Sequence, residues 1–248
     1  MLKIKNKKDI EKIRSSGKIL AETFEIIKEQ LKPGITTKDI DTISYNYINK
    51  CKAKSAFKGY MGFPANICIS VNDEVIHGIP SSRVLKEGDI VSLDLGVNLD
   101  GYISDSAITL PVGKISEKNM LLIKITEECL YKGIDMAITG NRVSDISKAV
   151  FSHAKKYNFG VVREYCGHGV GFSLHEPPSI PNYIGNGQNP KLKTGMVIAI
   201  EPMINLGGDE IYILDDKWTV KTADSSYSAH FEHTVAVLEN KAEILTCL

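Results

Sequence analysis

A net charge is the first thing this sequence does without. Thirty lysines and arginines face thirty aspartates and glutamates, so it has none of the broad one-signed field that holds a nucleic acid or an anionic membrane. Long hydrophobic runs are missing too. The longest, such as Met196 to Ile200, fall far short of the roughly 20 residues needed to cross a bilayer. The lysines at the N-terminus lead into no apolar block of the kind a signal peptide carries. A soluble cytoplasmic chain is the expectation, with no nucleic acid as substrate and no membrane as partner. Cysteine is sparse: Cys51, Cys68, Cys129, Cys166 and Cys247 are odd in number, scattered, and never in a C-x-x-C pair. That excludes a disulfide framework or a zinc ribbon and fits a reducing compartment.

The 248 residues, 43% of them hydrophobic, are enough to bury a proper core. From Ile10 the apolar side recurs at Ile13, Gly17, Leu20, Phe24, Ile27 and Leu31 and stops at Lys32-Pro33-Gly34, which predicts an amphipathic helix with a clear end. A second helix, capped by Thr36 or Thr37, runs through Ile40, Ile43, Tyr47 and Ile48 toward Lys50. Past residue 60 the texture changes to short strands: Ile67 to Val71, Ile90 to Leu95 and Tyr102 to Leu110. Ser116 can cap a third helix and Ser144 a fourth, after which strands return beyond residue 160.

Helices followed by strands thus occur twice, and the two passes are related. KEGDIVSLDLGVNLDG from Lys86 sets against KTGMVIAIEPMINLGG from Lys193 at an offset of 107 residues, and PGITTKDI from Pro33 against TGNRVSDI from Thr139 at 106. Two separated segments agreeing within one residue predict two similar halves packed face to face. No long polar linker lies between them near Val112 to Ser116. The expected organisation is one catalytic domain over 1–248, with halves of roughly 1–112 and 113–248.

The repeat aligns Asp94 with Glu201, an acid with an acid in an otherwise apolar strand. Either alone could be a strand-end residue reaching water, whereas two buried carboxylates at matched places call for a shared counter-charge. Asp100-Gly101 is a strong two-residue hairpin signal. With those two as the loop, Leu99 pairs with Tyr102, Asp94 falls opposite Ala107, and Asp105 lies one pleat away on the same face. Like charges so placed repel each other, and a bound cation reverses the sign. In the second half the matching returning strand carries Glu232, with about twenty residues inserted in the hairpin relative to the tight first-half turn. Four carboxylates balance two divalent cations, as in a two-metal hydrolytic site. So oxygen-rich a set suits Mn(II), Fe(II) or Co(II) at least as well as Zn(II).

Of the six histidines, His77 lies in EVIHGIP, and His168 and His175 lie in CGHGVGFSLHEPP. The glycines at 167, 169 and 171 are expected to clear space for a metal or substrate, and Pro177 and Pro178 forbid a following helix. A phosphate cradle would need that helix. His153, His230 and His233 have no comparable setting and read as structural or solvated.

The segments ICISVNDEVIHGIP, VSLDLGVNLDGYISDSA, CGHGVGFSLHEPP, VIAIEPM and WTVKTADSSYSAHFEHT, in this order, resemble the type I methionine aminopeptidases of the M24 family. The resemblance covers nearly the whole chain. It implies the α/β (α+β) pita-bread, or creatinase-like, fold: two pseudo-symmetric halves, each with two helices on an antiparallel-rich sheet, and a dinuclear metal site between them. It implies that Asp105 and Glu232 bridge two divalent ions (cobalt, manganese, iron or zinc), that Asp94 completes one, and that His168 with Glu201 completes the other. Hydrolysis by a metal-bridging hydroxide would remove the initiator methionine of nascent polypeptides whose second residue is small. Glu201 would shuttle the proton, His77 would contact the substrate near its N-terminal end, and His175 would hydrogen-bond the scissile carbonyl. The methionine pocket would map onto Tyr60, Phe63, Cys68, Leu174 and Trp218, with Phe57 at the rim. A monomer in transient contact with the ribosome is the expectation for assembly. Three rivals fit less well. Aminopeptidase P or prolidase relatives usually carry an extra N-terminal domain. A non-catalytic binding module of the same fold would be expected to lose ligands, and a two-metal nuclease or phosphatase sits badly with a neutral chain and apolar pocket candidates.

Overall fold

The computed structural model describes residues 2–185 and 187–248. The first half contains α1 (Lys7–Gln30) and α2 (Thr37–Lys50), then β1 (Lys54–Ser55), β2 (Cys68–Val71), β3 (Glu74–Ile76), β4 (Ile90–Leu99) and β5 (Tyr102–Pro111). The second contains α3 (Glu117–Asp135) and α4 (Val143–Lys155), then β6 (Gly160–Val161), β7 (Gly167–Gly169), β8 (Glu176–Ile180) and β9 (Val197–Ile200). It continues with β10 (Met203–Asn205), β11 (Ile211–Ile213), β12 (Val220–Thr222), β13 (Ser228–His230), β14 (Glu232–Val237) and β15 (Ala242–Ile244).

Local chemistry explains the helix starts. Asn6 caps α1 and Thr36 caps α2, each in a capping box with an aspartate three residues on, and Ser116 Oγ accepts from Asn119 N at the start of α3. The fourth helix departs from expectation. Its cap is Arg142, not Ser144, and the Ser144 amide donates instead to Asn189 Oδ1 at 2.9 Å. A side chain 45 residues away thus does what a local hydroxyl was expected to do.

A single sheet runs through both halves in the order β1-β4-β5-β14-β9-β7-β8, with β2 also on β4 and β15 on β14. The register is the one the Asp100-Gly101 hairpin predicts: Leu99 pairs with Tyr102 and Asp94 with Ala107. The halves meet where β5 and β14 pair antiparallel, Glu232 opposite Ala107. Returning strands therefore lie inside and outgoing strands outside. Side-chain alternation then sorts the faces. Leu93, Leu95 and Val97 of β4 pack with the first helix pair, and Ile198, Ile200, Val235 and Val237 pack with the second. Asp94, Asp105, Glu201 and Glu232 lie on the opposite face by the same alternation.

The internal repeat is visible in the hydrogen bonds. Gly34 N donates to Leu85 O (2.9 Å) and Gly140 N to Leu192 O (3.0 Å), while Leu85 N donates to Ile35 O (2.9 Å) and Leu192 N to Asn141 O (2.7 Å). The halves differ at their hairpins. β4 and β5 turn directly, whereas β9 ends before Glu201-Pro202, where proline cannot donate to a ladder, and β10 to β13 intervene before β14 returns.

Candidate active site

Three rows of the sheet bring the acids together. Ala107 lies opposite Asp94 on one side and Glu232 on the other, so the smallest possible chiral side chain separates two carboxylates. Asp105 is two residues along β5 on the same face, and Glu201 emerges just past β9. His168 Nε2 lies 3.8 Å from Asp105 Oδ2 and 3.4 Å from Glu201 Oε1. Ligand atoms of Asp105, His168 and Glu232 all lie within 4.8 Å of one another.

Asp94 Oδ1, Asp105 Oδ1 and Glu232 Oε1 are buried and have no hydrogen-bond partner among the described residues. Buried carboxylate oxygens are costly to leave unpaired, and a cluster of them is what divalent cations require. The residues therefore fit a metal centre. The electrostatics agree. Burial pushes the Asp94 carboxyl up to about 7. Burial, then repulsion from neighbouring acids, drives Asp105 and Glu232 well above the usual carboxylate range. Glu201 behaves differently. Burial opposes its ionisation, yet His230 and His168 hold it below its ordinary value.

The thirteen residues singled out from the sequence all line one cavity of about 400 Å³. Its floor holds Asp94, Asp105, His168, Glu201 and Glu232, and its apolar wall holds Phe57, Phe63, Cys68, Leu174 and Trp218. Phe63 and Trp218 meet edge to face at 5.1 Å. Tyr60 Oη lies 2.8 Å from His175 Nδ1, and the His175 ring is 4.2 Å from that of His168. His77 stands edge-on to Tyr165 at 5.5 Å and to Trp218 at 6.2 Å. Desolvation lowers the pKa of both His77 and His175 to about 4. His77 also has φ +59°, a backbone state that side-chain-bearing residues rarely adopt outside functional sites and turns.

Two sequence readings need correction. The glycines beside His168 do not clear space over a metal or substrate. A Cβ at Gly167 would meet the carbonyl oxygen of Ala199, one at Gly169 that of Pro177, and one at Gly171 the side chains of Ile13 and Lys5. They let backbones pack closely behind the site. The second concerns His230, which is 1% exposed and sits with Nε2 3.5 Å from Glu201 Oε2. It is buried, as the structural reading requires, but it borders the acid cluster. Its position in β13, opposite Met203 of β10, depends on the inserted strands and has no counterpart in the first half. Met61, Ile76, Tyr165 and Cys166 also line the cavity. Tyr165 and Cys166 could have been found from their place just before the Gly167-His168 segment. The other two histidines do not line the cavity: His153 pairs with Glu128 at 2.7 Å, and His233, next to Glu232 in β14, has Nδ1 2.8 Å from Thr246 Oγ1.

The family model for metallopeptidase family M24 matches residues 11–239. The methionine aminopeptidase of Clostridium perfringens is 51% identical over the full length of both chains. A crystal structure of methionine aminopeptidase from Rickettsia prowazekii superposes with a TM-score of 0.97 at 43% identity, covering 99% of this chain and 100% of that one. The prolidase of Pyrococcus furiosus is more distant, with a TM-score of 0.80 and 26% identity, and this chain covers only 65% of it. The fold is thus the pita-bread arrangement, and membership of a metallopeptidase family calls for a divalent metal. Among the described residues no helix is long and apolar enough to cross a membrane. On likeness along its whole length and on the architecture of its acid-lined cavity, this chain belongs to metallopeptidase family M24, among the methionine aminopeptidases.

Proposed function

We propose that this chain hydrolyses the first peptide bond of a polypeptide that begins with methionine and has a small second residue, acting as one catalytic domain built from residues 1–248. The observation that carries the reading is the convergence of Asp94, Asp105, His168, Glu201 and Glu232 from both halves, with unpartnered buried oxygens on three of the acids. These five would hold two divalent cations. Such ions supply Lewis acidity that polarises a carbonyl and makes water a nucleophile at neutral pH.

The remaining chemistry belongs to side chains. Glu201, a carboxylate at the edge of the cluster beside His168 and His230, is suited to take a proton from the attacking water and pass it to the leaving amine. The 2.8 Å approach of Tyr60 Oη to His175 Nδ1 suits a tautomer in which Oη donates and the imidazole proton sits on Nε2, where it can donate to the carbonyl oxygen as negative charge develops. The lowered pKa of His175 keeps it neutral, so it donates a hydrogen bond and does not lose its proton to the substrate. His77 contacts the peptide near its N-terminal end. The wall of Phe57, Phe63, Cys68, Leu174 and Trp218, with Tyr60 beside His175, fits an unbranched, polarisable thioether.

The test is a titration of the metal-free chain with Mn(II) or Co(II), followed by assays on a peptide set that includes Met-Ala, Met-Gly, Met-Leu and Ala-Pro starts. Release of methionine before Ala and Gly is expected. A metal-loaded chain that cleaves only before proline would move it to the prolidase side of the family.

A further inference from the structure

His175 and Leu174 sit at the end of a short segment, residues 171–175, that belongs to no helix or strand and yet must present both side chains to the cavity. Glu176 lies immediately after it, buried. Its Oε1 accepts from the amides of Phe172 (2.8 Å) and Ser173 (2.9 Å). Its Oε2 accepts from Lys5 Nζ at 2.7 Å, both side chains being 1% exposed. Lys5 comes from the segment before α1 and is itself anchored, its amide donating to Gly195 O at 2.7 Å. Its ammonium also stands 5.4 Å from the centre of the Phe172 ring, and Gly171 leaves room for its stem, since a Cβ there would press on Lys5 and Ile13.

An ammonium and a carboxylate this deeply buried are expensive to desolvate, and such a pair is weak evidence for stability as such. Burial works against both charges and lowers the Lys5 pKa, while Lys5 and the two loop amides still hold Glu176 below the usual carboxylate value, so the clearest effect of the pair is geometric. What it does do is hold one carboxylate in a single orientation while that carboxylate grips two consecutive amides of the loop. We propose that Lys5 is a positioning residue: through Glu176 it fixes the loop that aims His175 at the scissile carbonyl and Leu174 at the methionine side chain. This rests on the reading of His175 given above. A catalytic hydrogen bond loses much of its effect with a displacement of about 1 Å, on the order of 100-fold in rate.

The experiment compares Lys5→Met, Lys5→Arg and Glu176→Gln with the unaltered chain, each loaded with Mn(II). Three quantities are measured: kcat and KM on a Met-Ala peptide, Mn(II) affinity by calorimetry, and hydrogen exchange at the Phe172 and Ser173 amides. Lys5→Met is expected to lower kcat by roughly 10- to 100-fold, to speed exchange at both amides and to leave Mn(II) affinity unchanged, with Lys5→Arg restoring most of the rate. Unchanged exchange and unchanged kcat in a folded Lys5→Met chain would overturn the proposal, as would a parallel loss of Mn(II). If Lys5→Met does not fold, the double variant Lys5→Met/Glu176→Leu removes the orphaned charge. Full kcat in that folded variant equally overturns it. His175→Ala is measured alongside. Should it keep full turnover, the carbonyl-donor reading fails, while exchange at the two amides still decides whether Lys5 holds the loop.

Discussion

At the scale of single residues, the acid cluster makes the sharpest demand. Asp105 lies between repelling neighbours, so Asp105→Asn removes a proposed metal ligand while relieving repulsion. The expected outcome is loss of metal binding together with loss of activity on the order of a thousandfold, and a metal-free variant at least as stable as the parent. Metal content, turnover and thermal unfolding measured on one preparation check all three; a folded, fully active variant excludes Asp105 as a metal ligand. His77 gives a pH prediction. Its pKa is about 4 in the fold against an ordinary 6.5, so the unfolded chain binds the proton first. Stability from this group is therefore complete above pH 6.5 and is lost as pH falls from 6.5 toward 4. His77→Asn, which suits the positive φ, should unfold with a shallower fall in Tm across that window. The cluster residues were legible in the sequence because carboxylates stand out in apolar strands. His230 was not, since only the inserted strands carry it to Glu201.

At the scale of elements, the helix patterns and the first hairpin could be read from periodicity and turn chemistry, because those are local. Close approaches between elements were not legible. Gly17 fits the apolar face of α1 by spacing alone, but in the fold its missing side chain admits the chain's C-terminal segment: a Cβ there would collide with the carbonyl of Leu245. Gly17→Ala should therefore destabilise, by about 1–3 kcal/mol or more from overpacking, even though alanine is the better helix former by about 1 kcal/mol. Urea unfolding measures the balance, and a more stable variant would show that the C-terminal segment moves aside at no cost. The start of α4 makes the same point, its Ser144 amide being satisfied by Asn189 from a distant loop.

For the molecule as a whole, the site lies where the two halves share one sheet, across the β5–β14 pairing. A divalent metal held there would bind the folded chain and would have no comparable site in the unfolded one. Stripping metal with a chelator is expected to lower Tm, and restoring Mn(II) at about 100 times its Kd to return roughly 2.7 kcal/mol. A Tm indifferent to metal would mean that the acids do not act as one centre. The twofold relation between the halves was legible from the matched segments at offsets of 106 and 107. It reappears as paired hydrogen bonds at Gly34 and Gly140.

The sequence alone determined the helices, the hairpin register and the identity of the acids, because each follows from spacing along the chain or from a residue type out of place in its strand. Tertiary structure decided which backbones the glycines near His168 allow to approach, which side chain completes α4, and that Lys5 reaches Glu176. These are contacts between segments far apart in the chain, and no local pattern encodes the distance at which two such segments come to rest.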